Sequence, residues 1–222
     1  MLHPATLQFL LAIKEHNSRK YFASIKPLYE EIMLSIKDFA TALIAKLDVR
    51  DLSGHLVDAK DCLFRIYRDA RRLKEWDLLY KENFGFVISP RGKKDTAAGY
   101  YVHIQPWWSF FACGVYRPRP DDLRRLRTHL TQHGDEYIRL VSDKKFVKKF
   151  WQVEGDVSRS MPRGFAADVP HADLVRRKQH LIYRHYTDEE VLADDFYDRI
   201  LDDCRTVKPW ADFLNTASLP GE

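Results

Sequence analysis

The chain has 222 residues, 45% of them apolar and 13% aromatic, enough for a sizeable core and too apolar for intrinsic disorder. A formal net charge of +4 is too small by itself to imply nucleic acid, and no apolar run reaches the roughly 18 residues of a membrane span. The N-terminus, M-L-H-P-A-T, lacks the regions of a signal peptide, and Cys62, Cys113 and Cys204 form no close-spaced metal or redox pair, so a cytoplasmic protein is expected.

Pro4 suits a first helical turn, and Leu7, Leu10 and Leu11 follow at helical spacing, which predicts a helix over 4–16. Asn17 and Ser18 are capping residues for a longer helix over 19–47, with an interruption expected at Pro27. Residues 48–56 read as a turn region. Cys62–Tyr67 is β-rich and bounded by charge, a strand, and Phe84–Ser89 is a second. The loop from Pro90 to Asp95 carries strong turn residues. Gly99–Gln105 is a third strand, with Tyr101, His103 and Gln105 on one face and Tyr100, Val102 and Ile104 on the other. Trp107–Tyr116 is a fourth, and the short connections favour an antiparallel meander. Helices are predicted over 121–133, 136–141, 144–151 and 172–179. Between them, 156–168 reads as a strand or ordered loop. His180–Tyr186 is a strand, and Thr187 with Glu190 is a capping box for a helix to about Cys204, followed by a terminal helix over 208–217.

The fold class is therefore α+β, a central, mostly antiparallel sheet with helices from both chain ends packed on it. One domain over 1–222 is expected, with helices in 1–50, a strand-rich core in 60–118, and helices with one or two added strands in 119–222. Residues 60–130 hold the charge surplus, 15 basic against 8 acidic side chains, a concentration that suits a positive field around an anion. Within it, Arg65, Arg68 and Arg71 offer planar donors that match phosphate or carboxylate oxygens, with Asp69 placed to orient one of them. Tyr101 and His103 are the candidate recognition or acid–base groups, His103 because an imidazole titrates near neutrality. His129 and His133 have a helical metal-ligand spacing but no third ligand, so no metal and no cofactor are expected.

These residues fall in motifs that resemble an uncharacterised domain-of-unknown-function family of about this length in bacteria, fungi and plants. The resemblance runs through Phe9-Leu10, Asn17-Ser18-Arg19 with Phe22, F-R-I-Y-R-D-A-R at 64–71, Tyr80-Lys81, N-F-G at 83–85, A-G-Y-Y-V-H-I-Q-P at 98–106, G-V-Y-R-P at 114–118, P-R-G-F at 162–165, Pro170-His171, Asp173-Leu174 and Lys178. It implies a shared site without naming a ligand, and it adds Lys81 and Arg163 to the site residues, Arg163 approaching from the far side. Two departures stand out. Arg72-Leu73 replaces Phe-Ser, and W-D-L-L-Y-K at 76–81 replaces a Lys-Thr-Pro-Tyr-Lys run. The expected activity is binding of a small phosphate- or carboxylate-bearing ligand in a basic, aromatic-lined pocket, with metal-free acid–base chemistry if there is turnover. The alternative is a non-catalytic nucleic-acid or protein interaction module, using a stripe of Arg91, Lys93, Lys94, Arg124, Arg125 and Arg127. A third reading has the arginines tying sheet to helices through internal salt bridges.

Overall fold

The computed structural model describes residues 1–50, 54–69, 71, 74 and 78–217. The N-terminal helices are α1 (Thr6–Glu15), α2 (Arg19–Ser24) and α3 (Lys26–Leu47). The helix expected over 19–47 is broken at Ile25, because Pro27 falls in the first turn of α3, where a missing N–H is tolerated. The Ser18 hydroxyl caps α2 by accepting from the Tyr21 amide. A short helix, α4 (Ala59–Cys62), precedes strands β1 (Phe84–Ile88), β2 (Gly99–Ile104) and β3 (Ser109–Val115). Then come α5 (Pro120–Val141), α6 (Lys144–Phe150), α7 (Ala172–Arg176), β4 (His180–Tyr186), α8 (Asp188–Leu192) and α9 (Phe196–Thr216). No described helix is long and apolar enough to cross a membrane.

The sheet is antiparallel, in the order β1-β2-β3-β4, so the expected meander holds and β4 joins it after a long excursion. Several local expectations are corrected. Cys62 closes α4, and residues 63–67 are not a regular strand: they run beside β1 through isolated bridges Leu63↔Phe86 and Tyr67↔Tyr80. The register slips by two residues between those bridges, which breaks the ladder. The two helices expected over 121–141 are one, α5, kinked at His133, where Gly134 has no Cβ to collide with the His171 ring. Residues 156–168 take the loop form of the two expected, with one isolated bridge at Val157, and α7 ends at Arg176 rather than Gln179. The Thr187–Glu190 capping box is present but starts only the short α8, and the two expected C-terminal helices are the single α9, with Pro209 inside it.

The chain divides into two compact units. The first holds residues 1–93, 101–111 and 185–201, and the second holds 94–100, 112–184 and 202 onward. In the first, strand alternation turns Phe84, Phe86, Val102, Ile104 and Phe111 to one face, all fully buried. Helix α1 lays Phe9 on Phe84 with ring centroids 5.8 Å apart, and α3 lays Phe39 against Phe86 at 6.0 Å. Burying each such ring is worth about 1.5–3 kcal/mol. The opposite face, carrying Tyr101, His103, Gln105 and Phe110, is only half-buried. In the second unit the core is built from Leu126, Leu130 and Tyr137 of α5, Phe146 and Phe150 of α6, and Val207, Trp210 and Leu214 of α9. Trp210 meets the rings of Phe146 at 5.7 Å and Tyr137 at 6.2 Å. Two polar side chains with no exposure at all sit there. Asp203 is held by Arg184 at 2.6 Å and Lys149 at 2.9 Å, and His180 Nδ1 lies 2.9 Å from the Tyr137 hydroxyl oxygen.

Candidate functional site

The open face of the first unit begins at the paired segments 63–68 and 79–86. The Arg68 amide donates to the Leu79 carbonyl at 3.0 Å, and the Lys81 amide donates to the Ile66 carbonyl at 2.8 Å. This antiparallel pairing sets Tyr67 opposite Tyr80, with Arg68 and Lys81 next to them along the two segments and close enough for the charge of Arg68 to act on Lys81. Asn17 fixes the arrangement from α1: its amide accepts from the Tyr80 N–H at 2.9 Å and donates to the Tyr80 and Ile13 carbonyls, each at 3.1 Å. The Lys81 ammonium stands 5.6 Å from the centroid of the Phe64 ring. Burial, and then the charge of Arg68, hold its pKa below the usual lysine value. Among the described residues neither Arg68 nor Lys81 makes an ion pair.

From Phe64 the face continues to Tyr101, whose ring meets Phe64 edge-on at 6.1 Å. A line of hydrogen bonds follows down β2. The Tyr101 hydroxyl lies 2.9 Å from His103 Nδ1, and His103 Nε2 lies 2.9 Å from the Gln105 carbonyl oxygen. With that oxygen facing it, Nε2 carries the proton, and Nδ1 is left to accept from Tyr101 and, at 3.5 Å, from the Asn83 amide. The imidazole stacks on Phe110 of β3 with centroids 4.6 Å apart and planes within 10°. Burial lowers the His103 pKa, against a smaller opposing effect of the Gln105 hydrogen bond, so the ring is neutral at pH 7. Gly85 explains how the phenol fits: a Cβ there would lie 2.7 Å from the Tyr101 oxygen. The N-F-G and Y-Y-V-H-I-Q motifs thus build one polar line on an aromatic surface.

On the Tyr67 side of the same segment lies an open cleft of about 430 Å³, lined by Arg19, Phe22, Ala23, Lys26, Tyr67, Arg68, Leu79 and Tyr80. Phe22 stacks on Tyr80 at 4.3 Å with planes 11° apart, and Tyr67 touches both rings at an angle. Three basic residues from three elements line the cleft, and among the described residues no carboxylate does.

Of the residues expected from sequence, Arg68, Lys81, Tyr101 and His103 are brought to this face. Asp69 and Arg71 close on each other instead, Arg71 Nε to Oδ1 at 3.0 Å and Nη2 to Oδ2 at 2.9 Å, with the Arg71 side chain 88% exposed. Arg65 is exposed and makes no ion pair among the described residues, so neither it nor Arg68 ties sheet to helix by a salt bridge. Arg163 belongs to the second unit and is exposed there, beside a turn closed by Phe165 N–H to the Pro162 carbonyl at 3.2 Å. The departures at Arg72, Leu73, Trp76 and Asp77 lie outside the described residues. Residues missed from sequence are Arg19, Lys26, Tyr67 and Tyr80 of the cleft, and Asn83 and Phe110 of the face. The paired motifs Asn17-Ser18-Arg19 and Tyr80-Lys81 were the available signal, but their meeting is a long-range fact.

The basic stripe is largely engaged within the fold. The Lys93 ammonium donates to the Lys60 and Leu63 carbonyls at 3.2 and 3.1 Å, Arg125 pairs with Asp122, and Arg127 donates to the Arg177 carbonyl at 3.2 Å. His129 and His133 lie ring to ring at 4.5 Å, and His129 packs on Phe213 at 4.7 Å.

A family model described as "Conserved hypothetical protein (DUF2461)" matches residues 5–213. No curated protein matches the chain, and no solved structure does.

Proposed function

The chain belongs to that family, and on this premise we propose that it binds a small phosphate- or carboxylate-bearing ligand on the open face of its first unit. Arg68 and Lys81 hold the anion, and Tyr101 with His103 meets the recognised or reacting group. One observation carries the reading. Two neighbouring cations, one of them partly desolvated over Phe64, stand without a carboxylate between them among the described residues. Like charges brought together in a partly buried place repel, and an anion relieves both the repulsion and the lost hydration.

The chemistry open to this face is acid–base. As the Tyr101 oxygen takes a proton from the ligand, its own proton passes to His103 Nδ1, and the Gln105 carbonyl holds the Nε2 proton. The resulting imidazolium has an amide rather than a carboxylate behind it, so the relay is a weak base suited to an acidic ligand proton. The three cysteines are free and buried, and burial pushes the Cys62 thiol up to about 11, which suits a reducing, cytoplasmic setting.

A thermal-shift series with nucleotides, sugar phosphates, carboxylates and divalent metals tests this on the wild type, Arg68→Ala and Lys81→Gln. Arg68 is exposed and makes no ion pair among the described residues, so its removal should alter unliganded stability by no more than about 0.5 kcal/mol. An anion at 100 times its Kd adds about 2.7 kcal/mol, roughly 5–10 °C for a chain of this size. That rise should appear in the wild type and vanish in Lys81→Gln. A rise of equal size in all three proteins, or none with any compound, refutes the assignment.

A further inference from the structure

The cleft on the Tyr67 side shares only Arg68 with the face just described, and its own chemistry is distinct. Arg19 is the first residue of α2, Lys26 the first of α3, and Arg68 comes from the paired segment. Arg19 and Arg68 make no ion pair among the described residues, and Lys26 reaches only Glu30 on its own helix, at 3.6 Å with both side chains well exposed. Such an exposed pair holds a lysine weakly. Two guanidinium groups and an ammonium on the residues lining one concave space offer enough donors for the three terminal oxygens of a phosphomonoester, more than the two oxygens of a carboxylate use.

The walls add a second requirement. Phe22 and Tyr80 are buried and already stacked on each other. Tyr67 meets Phe22 at 64° and Tyr80 at 55°, so neither neighbour covers its ring face to face, and the residue is 47% exposed. It offers a flat apolar surface beside the three cations, and the volume of about 430 Å³ falls in the range of small-ligand sites.

We propose that this cleft is a second anion site, taking a small molecule that carries a phosphomonoester dianion next to a planar ring, the phosphate on Arg19, Lys26 and Arg68 and the ring on Tyr67. It goes beyond the reading of the open face, and Lys81 is not part of it.

The test is binding of phenyl phosphate, adenosine monophosphate, benzoate and inorganic phosphate, by calorimetry at constant ionic strength. The proteins are the wild type, the double variant Arg19→Gln/Lys26→Gln, and Lys81→Gln. The exposed positions of Arg19 and Lys26 keep the double variant folded, and its melting curve checks this directly. One of the two ring phosphates should bind the wild type at least about tenfold tighter than benzoate or inorganic phosphate. The double variant should lose at least about tenfold of that affinity, the scale of one charge-assisted hydrogen bond, and Lys81→Gln should keep it. Affinity lost in Lys81→Gln and kept in the double variant would put the ligand on the open face and overturn the second site, leaving the first reading intact. Benzoate binding as tightly as the esters would overturn the ligand class. No binding of either ester to the wild type would overturn the proposal outright.

Discussion

His180 should make the stability of this protein fall steeply in mild acid. The residue has no solvent exposure, holds its Nδ1 2.9 Å from the Tyr137 hydroxyl, and feels the charges of Arg177 and Arg127. Burial first, and then those two arginines, push its pKa from 6.5 down to about 3. The sign follows from linkage. The unfolded chain binds a proton near pH 6.5 that the folded chain refuses until about pH 3, so this contribution is complete above pH 6.5 and lost as pH falls through the window. Between pH 7.5 and 5.0 the loss amounts to about 2 kcal/mol for this one imidazole, at about 1.4 kcal/mol per pH unit below its unfolded pKa. Urea unfolding at the two pH values, on the wild type and on His180→Gln, isolates it. The variant will be less stable at pH 7.5, because it disturbs a packed site, but its stability should fall by about 2 kcal/mol less on acidification. Equal slopes in the two proteins would refute the argument, and would mean that the folded state takes up the proton without hindrance.

Asn17→Ala removes both backbone hydrogen bonds to Tyr80 and one to Ile13, and should cost about 2–3 kcal/mol in chemical denaturation. Asp203→Asn leaves Arg184 facing a neutral group while Lys149 keeps Asp202 at 2.5 Å, and should cost about 2–3 kcal/mol by the same measurement. Gly85→Ala pushes the Tyr101 hydroxyl off its seat. The stability loss should be about 1–3 kcal/mol, and imidazole nitrogen NMR should show His103 Nδ1 without its tyrosine donor.

What was legible in the sequence is what local pattern controls. Alternation along β2 put Tyr101, His103 and Gln105 on one face and their neighbours in the core, and Pro27 marked the break between α2 and α3. Side-chain signals at helix ends were read correctly in kind but not in extent: the Thr187–Glu190 box starts a helix of only 5 residues, because a cap fixes where a helix begins and not how far packing carries it. Pro209 lies within α9 for the complementary reason, since burial of Val207, Trp210 and Leu214 outweighs the loss of one backbone hydrogen bond. The Cys62–Tyr67 segment had strand composition, but its partner slips by two residues, and register is a property of two segments that neither carries alone. The site divides in the same way. Arg68, Lys81, Tyr101 and His103 could be listed, whereas Arg19 and Lys26 become neighbours of Arg68 only once Asn17 has pinned Tyr80.

The broken pairing beside β1 has a further consequence, for behaviour at high concentration. A regular outer strand would present an unbroken row of amides and carbonyls to another molecule, the usual route to fibrillar polymers. Here residues 63–67, with their slipped register, run beside β1, and Glu154 bridges Leu181 near the start of β4. Each outer strand is thus accompanied over part of its length by a stretch too irregular to template a neighbour. The half-buried aromatic face can stay open to solvent while these stretches leave other chains less backbone to zip onto.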